Sequence, residues 1–446
     1  MNDWYDAEQR AEKAQELFAQ RRWQECLTEI RAAIAINPYH SAWYFNLGLT
    51  LDELQRFEEA IEAYQAGLRI EPDDLEAMYR VGVDLTRLGR LEEAIADFES
   101  IQSLDASFEP CYCGRIIAYT EQGDHDKAEE MFYIARQYKE DCPHCYYNVA
   151  VSLSRRGLYD RAIYCWQKSL DMDESYPEVH RRIAEALREK GDLEQARSHY
   201  LQELRASPGD TSTLLELGSL LMQMRRIEEA GEKFRRAIEM APEEAAVYYF
   251  QGRWLLFNGK LAAAREAFEE ALRLDRHCSG AQMCLGEICL RSGDVIKARR
   301  HLRMEVRSSP QDPEILMRLS NLLLDCGQNR LAVACLDRLT KLRPADPTAW
   351  QNLAVAHFMA GRYDLGIAAC QQALQHDAKQ TTVMFNLALA YERQGDYTQA
   401  THWLRRAAAL EPYDLAIHRL GLRLRILRGW RSIVQALRRV MFWKKD

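Results

Sequence analysis

The chain has 446 residues, 47% hydrophobic and 28% charged, a balance that excludes intrinsic disorder and leaves room for several globular domains or one elongated array. No apolar run approaches the roughly 18 residues that cross a bilayer, and the first six residues carry no secretory signal, so the cytoplasm is the expected compartment. Seven Arg and two Lys against one acid give residues 415–446 a local +8 within a net −8, leaving −16 on residues 1–414, an acidic body that excludes nucleic acid as the expected partner.

After a short extension (residues 1–6), a 34-residue period begins at Ala7 and runs twelve times, without insertion, to Asp414. Its twentieth position reads Cys26, Ala60, Ala94, Ala128, Ala162, Ala196, Ala230, Ala264, Ala298, Ala332, Gly366 and Ala400. Its eighth reads Ala14, Gly48, Gly82, Ile116, Ala150, Ala184, Gly218, Gly252, Gly286, Ser320, Ala354 and Ala388, broken only by Ile116. Small residues at both places let two antiparallel helices approach closely. The twenty-fourth position supplies bulk: Tyr64, Phe98, Phe132, Trp166, Tyr200, Phe234 and Phe268, then Leu302, Leu336 and Leu404. Glycine at Gly89, Gly123, Gly157, Gly191, Gly259, Gly293, Gly327, Gly361 and Gly395 marks the turn inside each predicted helix pair. Every proline falls after a second helix or at the start of a first one, and none inside a helix. Glu-Glu-Ala at 58–60, 92–94 and 228–230 places acids in the first turn of a second helix, where the macrodipole favours them.

The run Trp43-Tyr44-Phe45-Asn46-Leu47-Gly48, followed by Leu51, Ala60, Tyr64, Gly67 and Pro72, resembles the tetratricopeptide repeat consensus. So does Leu217-Gly218 with Ala230, Phe234, Ala237 and Pro242. The resemblance spans residues 7–414 and implies an all-α, right-handed superhelical solenoid of antiparallel helix pairs, with a concave groove that holds other proteins or peptides. It leaves the ligand unnamed. In this family the groove is lined by the first helix of each pair. At the fifth position this chain has Phe45, Tyr79, Tyr147, Tyr249 and Phe385, and at the sixth Asn46, Arg80, Asn148, Arg182, Arg318, Asn352 and Asn386. Asn there offers a donor and an acceptor to an extended backbone, and the rings add contact area with few rotors to freeze. Equally, the rings could pack on neighbouring helices with the Asn merely solvated. The two-carboxylate clamp of chaperone-tail receptors is not expected. Asn46 and Arg80 match it, but Glu76, Ala11 and Gln15 stand where its basic residues and first Asn belong.

The fourth and fifth repeats carry the one thiol cluster, Cys111, Cys113, Cys142 and Cys145. Four thiols could ligate zinc, and a Cys-x-x-Cys at a helix start can be acidic. Against this, Cys111 and Cys113 project about 200° apart on a helix, so no metal or other cofactor is expected. The other cysteines read as small hydrophobes in a reducing compartment.

Residues 415–446 fit the register as a degraded thirteenth copy with Gly429 at its turn and read as an end cap. Trp430, Ile433, Val434, Leu437, Val440 and Met441 share one helical face, with Arg431, Arg438 and Arg439 elsewhere and Phe442, Trp443, Lys444 and Lys445 closing the chain. Such a basic amphipathic segment can cap the last repeat, touch anionic lipid at the inner membrane face, or do both. Phosphate-loop, dinucleotide, zincin and nucleophile-elbow motifs are missing. The expected function is therefore a non-enzymatic protein-interaction scaffold. A membrane-surface assembly factor and a thiol or zinc protein using Cys142 and Cys145 are its rivals.

Overall fold

The computed structural model describes residues 2–442, and the side chains of residues 4–430. The described residues form twenty-five helices and no strand. They divide into two units, Met1–Arg225 and Arg226–Asp446.

The first unit opens with α1 (Asn2–Ala19), α2 (Trp23–Ile36), α3 (Ser41–Glu53) and α4 (Phe57–Leu68). It continues with α5 (Leu75–Arg87), α6 (Leu91–Leu104), α7 (Pro110–Gln122), α8 (His125–Tyr138) and α9 (Pro143–Arg155). It closes with α10 (Tyr159–Met172), α11 (Val179–Lys190), α12 (Leu193–Ala206) and α13 (Thr211–Gln223). The second unit contains α14 (Ile227–Met240), α15 (Ala245–Phe257), α16 (Leu261–Leu274), α17 (Ala281–Arg291), α18 (Val295–Arg307) and α19 (Pro313–Asp325). After these come α20 (Asn329–Leu342), α21 (Pro347–Met359), α22 (Tyr363–His376), α23 (Thr381–Gln394), α24 (Tyr397–Leu410) and α25 (Leu415–Phe442). Within each unit consecutive helices pack as hairpins and hairpins stack in tandem. The core runs as a continuous seam along the stack: from Leu255 to Ala390 in the second unit, every hairpin adds buried apolar side chains to one cluster.

The small-against-bulky pattern acts through direct contact. A Cβ added at Gly48 would lie 2.4 Å from the Tyr64 ring, and one at Gly252 would lie 2.7 Å from Phe268. Phe98 is clamped from two sides, since a Cβ at Gly82 on α5 or at Gly114 on α7 would come within 2.5 Å of its ring. The fourth repeat departs from the pattern at Ile116, which is itself fully buried, while its Gly114 makes a close approach to Phe98 of the preceding hairpin.

The turn inside each hairpin takes a left-handed residue. Gly89 does so at φ +75°, as the sequence leads one to expect, but in three repeats Arg21, Gln55 and Arg225 adopt φ of 58°, 57° and 63° without glycine's freedom. In eight repeats the following helix then starts in one of two ways. Asp124, Asp192, Asp294 and Asp396 cap it by accepting from backbone N–H groups. Arg22, Arg56, Arg90 and Arg226 occupy the same place elsewhere and pair with Glu25, Glu59, Glu93 and Glu229 three residues on.

Two expectations for the chain ends need correction. The first helix begins at Asn2, so the described part of the extension (residues 2–6) is continuous with the first repeat's helix. At the other end α25 runs unbroken from Leu415 to Phe442 through Gly429, without the expected turn. Glycine permits a turn but does not compel one, and here the flanking segments both favour helix.

Gly82→Ala should lower the urea midpoint of the full-length chain, equivalent to about 1–3 kcal/mol of overpacking, despite about 1 kcal/mol of gained helix propensity. Gly67→Ala, whose Cβ would meet its nearest neighbours at an ordinary 3.4 Å, should leave the midpoint unchanged or raise it. Equal loss from both, followed by far-ultraviolet circular dichroism, would contradict close approach as the constraint.

Candidate functional site

All twelve groove candidates lie on first helices of hairpins, and all are half-buried. The first unit carries Phe45 and Asn46 on α3, Tyr79 and Arg80 on α5, Tyr147 and Asn148 on α9, and Arg182 on α11. The second carries Tyr249 on α15, Arg318 on α19, Asn352 on α21, and Phe385 and Asn386 on α23. The rings rest on the bulky residue of their own repeat: Phe45 on Tyr64 at 5.6 Å, Tyr79 on Phe98 at 5.8 Å and Tyr249 on Phe268 at 5.9 Å between centroids. Tyr147 instead packs on Tyr176 at 5.1 Å. The fifth-position rings therefore pack inward on one edge and keep another edge open, which fixes their orientation before any ligand arrives.

The sixth position divides by residue type. The side-chain amides of Asn46, Asn148 and Asn386 have no hydrogen-bond partner among the described residues, whereas Asn352 donates to Met317 Sδ at 2.9 Å. The arginines are neutralised within the chain. Arg80 pairs with Glu76 at 3.1 Å, Arg182 with Glu185 at 3.2 Å, and Arg318 with Glu287. Asn46 also borders a small apolar pocket with Gln15, Phe18 and Leu49.

Beneath this face of the first unit sits a carboxylate pair that carries no motif. Asp84 on α5 is fully buried, and Arg87 Nη1 donates to its Oδ1 at 2.9 Å. Asp52 accepts from the Tyr64 hydroxyl at 2.8 Å. Asp52 Oδ1 and Asp84 Oδ2 have no other donor, so a proton on Asp84 supplies the missing hydrogen bond between the two. Burial, then that hydrogen bond and the Asp52 charge, push Asp84 up to about 8, against the opposing pull of Arg87.

The thiols arrange themselves differently from the expectation. Cys113, Cys142 and Cys145 meet in the first unit, with sulfur separations of 2.7 Å (Cys113 to Cys145) and 3.9 Å (Cys113 to Cys142). Cys111 is left out, a buried thiol that desolvation pushes up to about 11. The angular objection thus removes Cys111 alone. The fourth member is Glu109, which the sequence reading missed; its one signal is that it stands four residues before Cys113 and so shares its helix face. Hydrogen bonds from Cys113 and Cys145 hold the Cys142 sulfur well below the usual thiol range.

On α25, Ile417, Leu420 and Leu424 are buried, while Leu422, Ile426 and Trp430 are 59%, 71% and 68% exposed. One face thus covers the last hairpin, and a second apolar stripe stays open between Arg419, Arg423, Arg425 and Arg428. No described helix is long and apolar enough to cross a membrane. Arg431, Arg438, Arg439 and Phe442 lie on α25 but their side chains fall outside the described residues, as do Trp443, Lys444 and Lys445 altogether.

Tandem helical hairpins, built on a small-against-bulky contact and presenting repeated first-helix faces, define an α-solenoid repeat protein. A family model described as Tetratricopeptide repeat matches residues 12–74, 46–107, 147–211, 215–256, 251–313 and 317–381, and a second of that description matches 357–424. The chain belongs to the tetratricopeptide repeat family, whose members act as protein-interaction scaffolds. Residues 108–146, which hold Glu109, Cys113, Cys142 and Cys145, lie outside the matched segments. No curated protein matches the chain. Among solved structures it is similar to yeast Tom70, at 14% identity and a TM-score of 0.45 over 100% of both chains. It is also similar to the APC/C hetero-tetramer Cut9-Hcn1, at 16% and 0.42 over 92% of this chain and 95% of that one. A third is YrrB, titled a TPR protein with an unusual peptide-binding site, at 20% and 0.38 over 43% of this chain and 98% of that one.

The raised Asp84 predicts a pH signature. Because its folded value of about 8 exceeds the unfolded carboxylate value of 3.8, the unfolded chain ionises first. Stability from this group is therefore present below about 4 and lost as pH rises towards 8. Asp84→Asn, which keeps the shape and cannot ionise, should become progressively more stable than the parent from pH 5 to about 8, with no further gain above. Urea midpoints of both chains across that range check it; a gap independent of pH would show that Asp84 is ionised throughout.

Proposed function

We propose that the chain is a non-enzymatic scaffold whose repeated first-helix faces hold extended segments of partner polypeptides. The observation that carries this reading is the recurrence, at one phase, of an oriented ring beside an unengaged amide: Phe45 with Asn46, Tyr147 with Asn148, and Phe385 with Asn386. An extended peptide exposes one backbone donor and one acceptor per residue, which a single side-chain amide can meet together. The neighbouring ring supplies apolar area whose rotamer is already set. The arginines contribute differently. Each is already paired with a carboxylate, so a ligand acid must displace Glu76, Glu185 or Glu287 to reach them, which favours uncharged or mildly polar segments over acidic ones.

Asn46→Ala, Tyr79→Ala, Tyr147→Ala and Asn148→Ala combined should reduce recovery of bound partner by the tagged full-length chain at least about tenfold, as the loss of a hot spot does. Unaltered circular dichroism shows that the fold persists. Undiminished recovery by the folded variant counts against the first unit's face as the working surface.

A second reading is favoured by the open apolar stripe on α25. Leu422, Ile426 and Trp430 flanked by arginines have the composition of a segment that lies on an anionic membrane surface, which would place the scaffold peripherally at the inner face. The chain should then co-sediment with vesicles containing phosphatidylserine but not with pure phosphatidylcholine, and Leu422→Glu, Ile426→Glu and Trp430→Glu combined should abolish the difference. Equal sedimentation with both vesicles removes this reading.

A further inference from the structure

The face between α7 and α9 contains a group of side chains that neither the packing nor the peptide face uses. Glu109, Cys113, Cys142 and Cys145 bring one oxygen and three sulfurs within 4.8 Å of one another. Local sequence builds the arrangement at two neighbouring helix starts. Glu109 immediately precedes Pro110, the first residue of α7, and Cys113 follows one turn later on the same side. Cys142 is the N-cap of α9, its sulfur accepting from the Cys145 N–H at 3.2 Å, and Pro143 sets the first turn that carries Cys145 inward. Both pairs of ligand atoms therefore sit at positive helix ends, which stabilise anionic sulfur and oxygen.

An apolar core accounts for buried thiols, since a reduced cysteine packs as a small hydrophobe. It does not account for a carboxylate directed among them. Glu109 reaches this place although Lys139 Nζ holds its other side at 2.6 Å. The Cys113–Cys145 separation of 2.7 Å is too long for the about 2.05 Å of a disulfide. It is also inside the about 3.8 Å edge of a tetrahedron built on roughly 2.3 Å metal–sulfur bonds. The 3.9 Å between Cys113 and Cys142 already matches that edge. Rotation of the Cys113 and Cys145 side chains by about 1 Å at sulfur would bring that pair to the same edge, with the remaining ligand atoms already within 4.8 Å of one another.

We propose that Glu109, Cys113, Cys142 and Cys145 form a structural zinc site joining α7 to α9. The three cysteines bind as thiolates, any thiol protons leaving to solvent, and Glu109 binds as a carboxylate. Three thiolates, one carboxylate and one divalent ion leave the site at −2, which the Lys139 ammonium and the two helix N-termini offset. A set rich in thiolate selects zinc over magnesium or calcium, and four protein ligands leave no open position for a substrate. The site also has a neighbour on the peptide face. His144, between the two cysteines of α9, bonds the Tyr176 hydroxyl at 2.7 Å, and Tyr176 packs on Tyr147. A metal that fixes the start of α9 thereby fixes one of the rings proposed to meet the ligand.

The test uses the full-length chain, purified under a non-thiol reductant without chelator and analysed for metals by plasma mass spectrometry. About one zinc per chain is expected. Cys113→Ser and Cys145→Ser should each lower that content at least about tenfold, and Glu109→Gln should weaken zinc affinity about 10–100-fold in competition with a chromophoric chelator, the range seen when support of a metal site is removed. Cys111→Ser, buried nearby but outside the cluster, should retain zinc. Should a serine variant fail to fold, the native chain still decides. Stripped of metal and given cobalt(II), it should develop sulfur-to-cobalt charge transfer and tetrahedral d–d bands. No zinc after zinc-replete growth together with no such spectrum would overturn the proposal. So would copper or iron in its place, equal loss from Cys111→Ser, or an intact mass two hydrogens light that marks a Cys113–Cys145 disulfide.

Discussion

The distance of closest approach between the two helices of a hairpin governs the rest of the molecule. Gly48 against Tyr64, Gly82 against Phe98, Gly252 against Phe268 and Gly286 against Leu302 bring a bulky side chain to where a methyl group would collide with it. Dispersion and burial reward that contact, and a larger residue at the glycine forces the axes apart. Phe98 also meets Gly114 on α7, so there the contact joins the next hairpin as well as closing the pair. The fifth- and sixth-position residues inherit their direction from it. Phe45, Tyr79 and Tyr249 lie where they do because Tyr64, Phe98 and Phe268 support them.

That contact was legible in the sequence because it needs particular residue sizes at particular phases, and size is visible in a one-letter string. Other solutions were illegible because several residues satisfy them equally. Left-handed turns at Arg21, Gln55 and Arg225 resemble any polar position until the backbone is seen. Two first helices, α11 and α17, begin after left-handed residues, Glu178 and Gly280, that supply no side-chain cap. Their free N–H groups are met from the partner helix instead. Glu203 Oε2 accepts from Arg181 N at 3.2 Å, and Glu305 accepts from Gly280 N at 2.7 Å and Met283 N at 3.1 Å. A glutamate facing inward at a position that holds alanine in six other repeats and no other charged residue is a local anomaly whose partner lies more than twenty residues away, so only the fold explains it.

The peptide face shows where legibility ends for function. Periodicity located the rings and amides, yet it could not distinguish an arginine free to bind from one already paired within its own stack. Arg80, Arg182 and Arg318 carry the same letter as a ligand-binding residue, and their carboxylate partners stand as near as three residues away or as far as thirty-one. The asparagines survive this distinction because an amide beside an apolar ring has few internal suitors, and three of them have none among the described residues.

The fourth repeat concentrates the departures from the pattern. It has Ile116 where the others are small, Gly114 pressed against Phe98 of the preceding hairpin, Cys113 where five other repeats of the chain carry Phe or Tyr, and no family-model match over residues 108–146. Repeats selected only for stacking have no reason to abandon a working rule at several positions of one copy. A set of local exceptions that remains internally consistent is what a fold displays where a side chain is held for chemistry rather than for shape. Cys113 is that side chain. An aromatic ring in its place would occupy the space between Glu109, Cys142 and Cys145, and the two helix starts could not close on one another as they do. The same geometry shows why the grouping differs from the one read from spacing. Cys111 and Cys113 diverge on α7, but the ligand set crosses from one helix to the next and recruits a carboxylate one turn upstream, so the relevant spacing lies between helices and not along one.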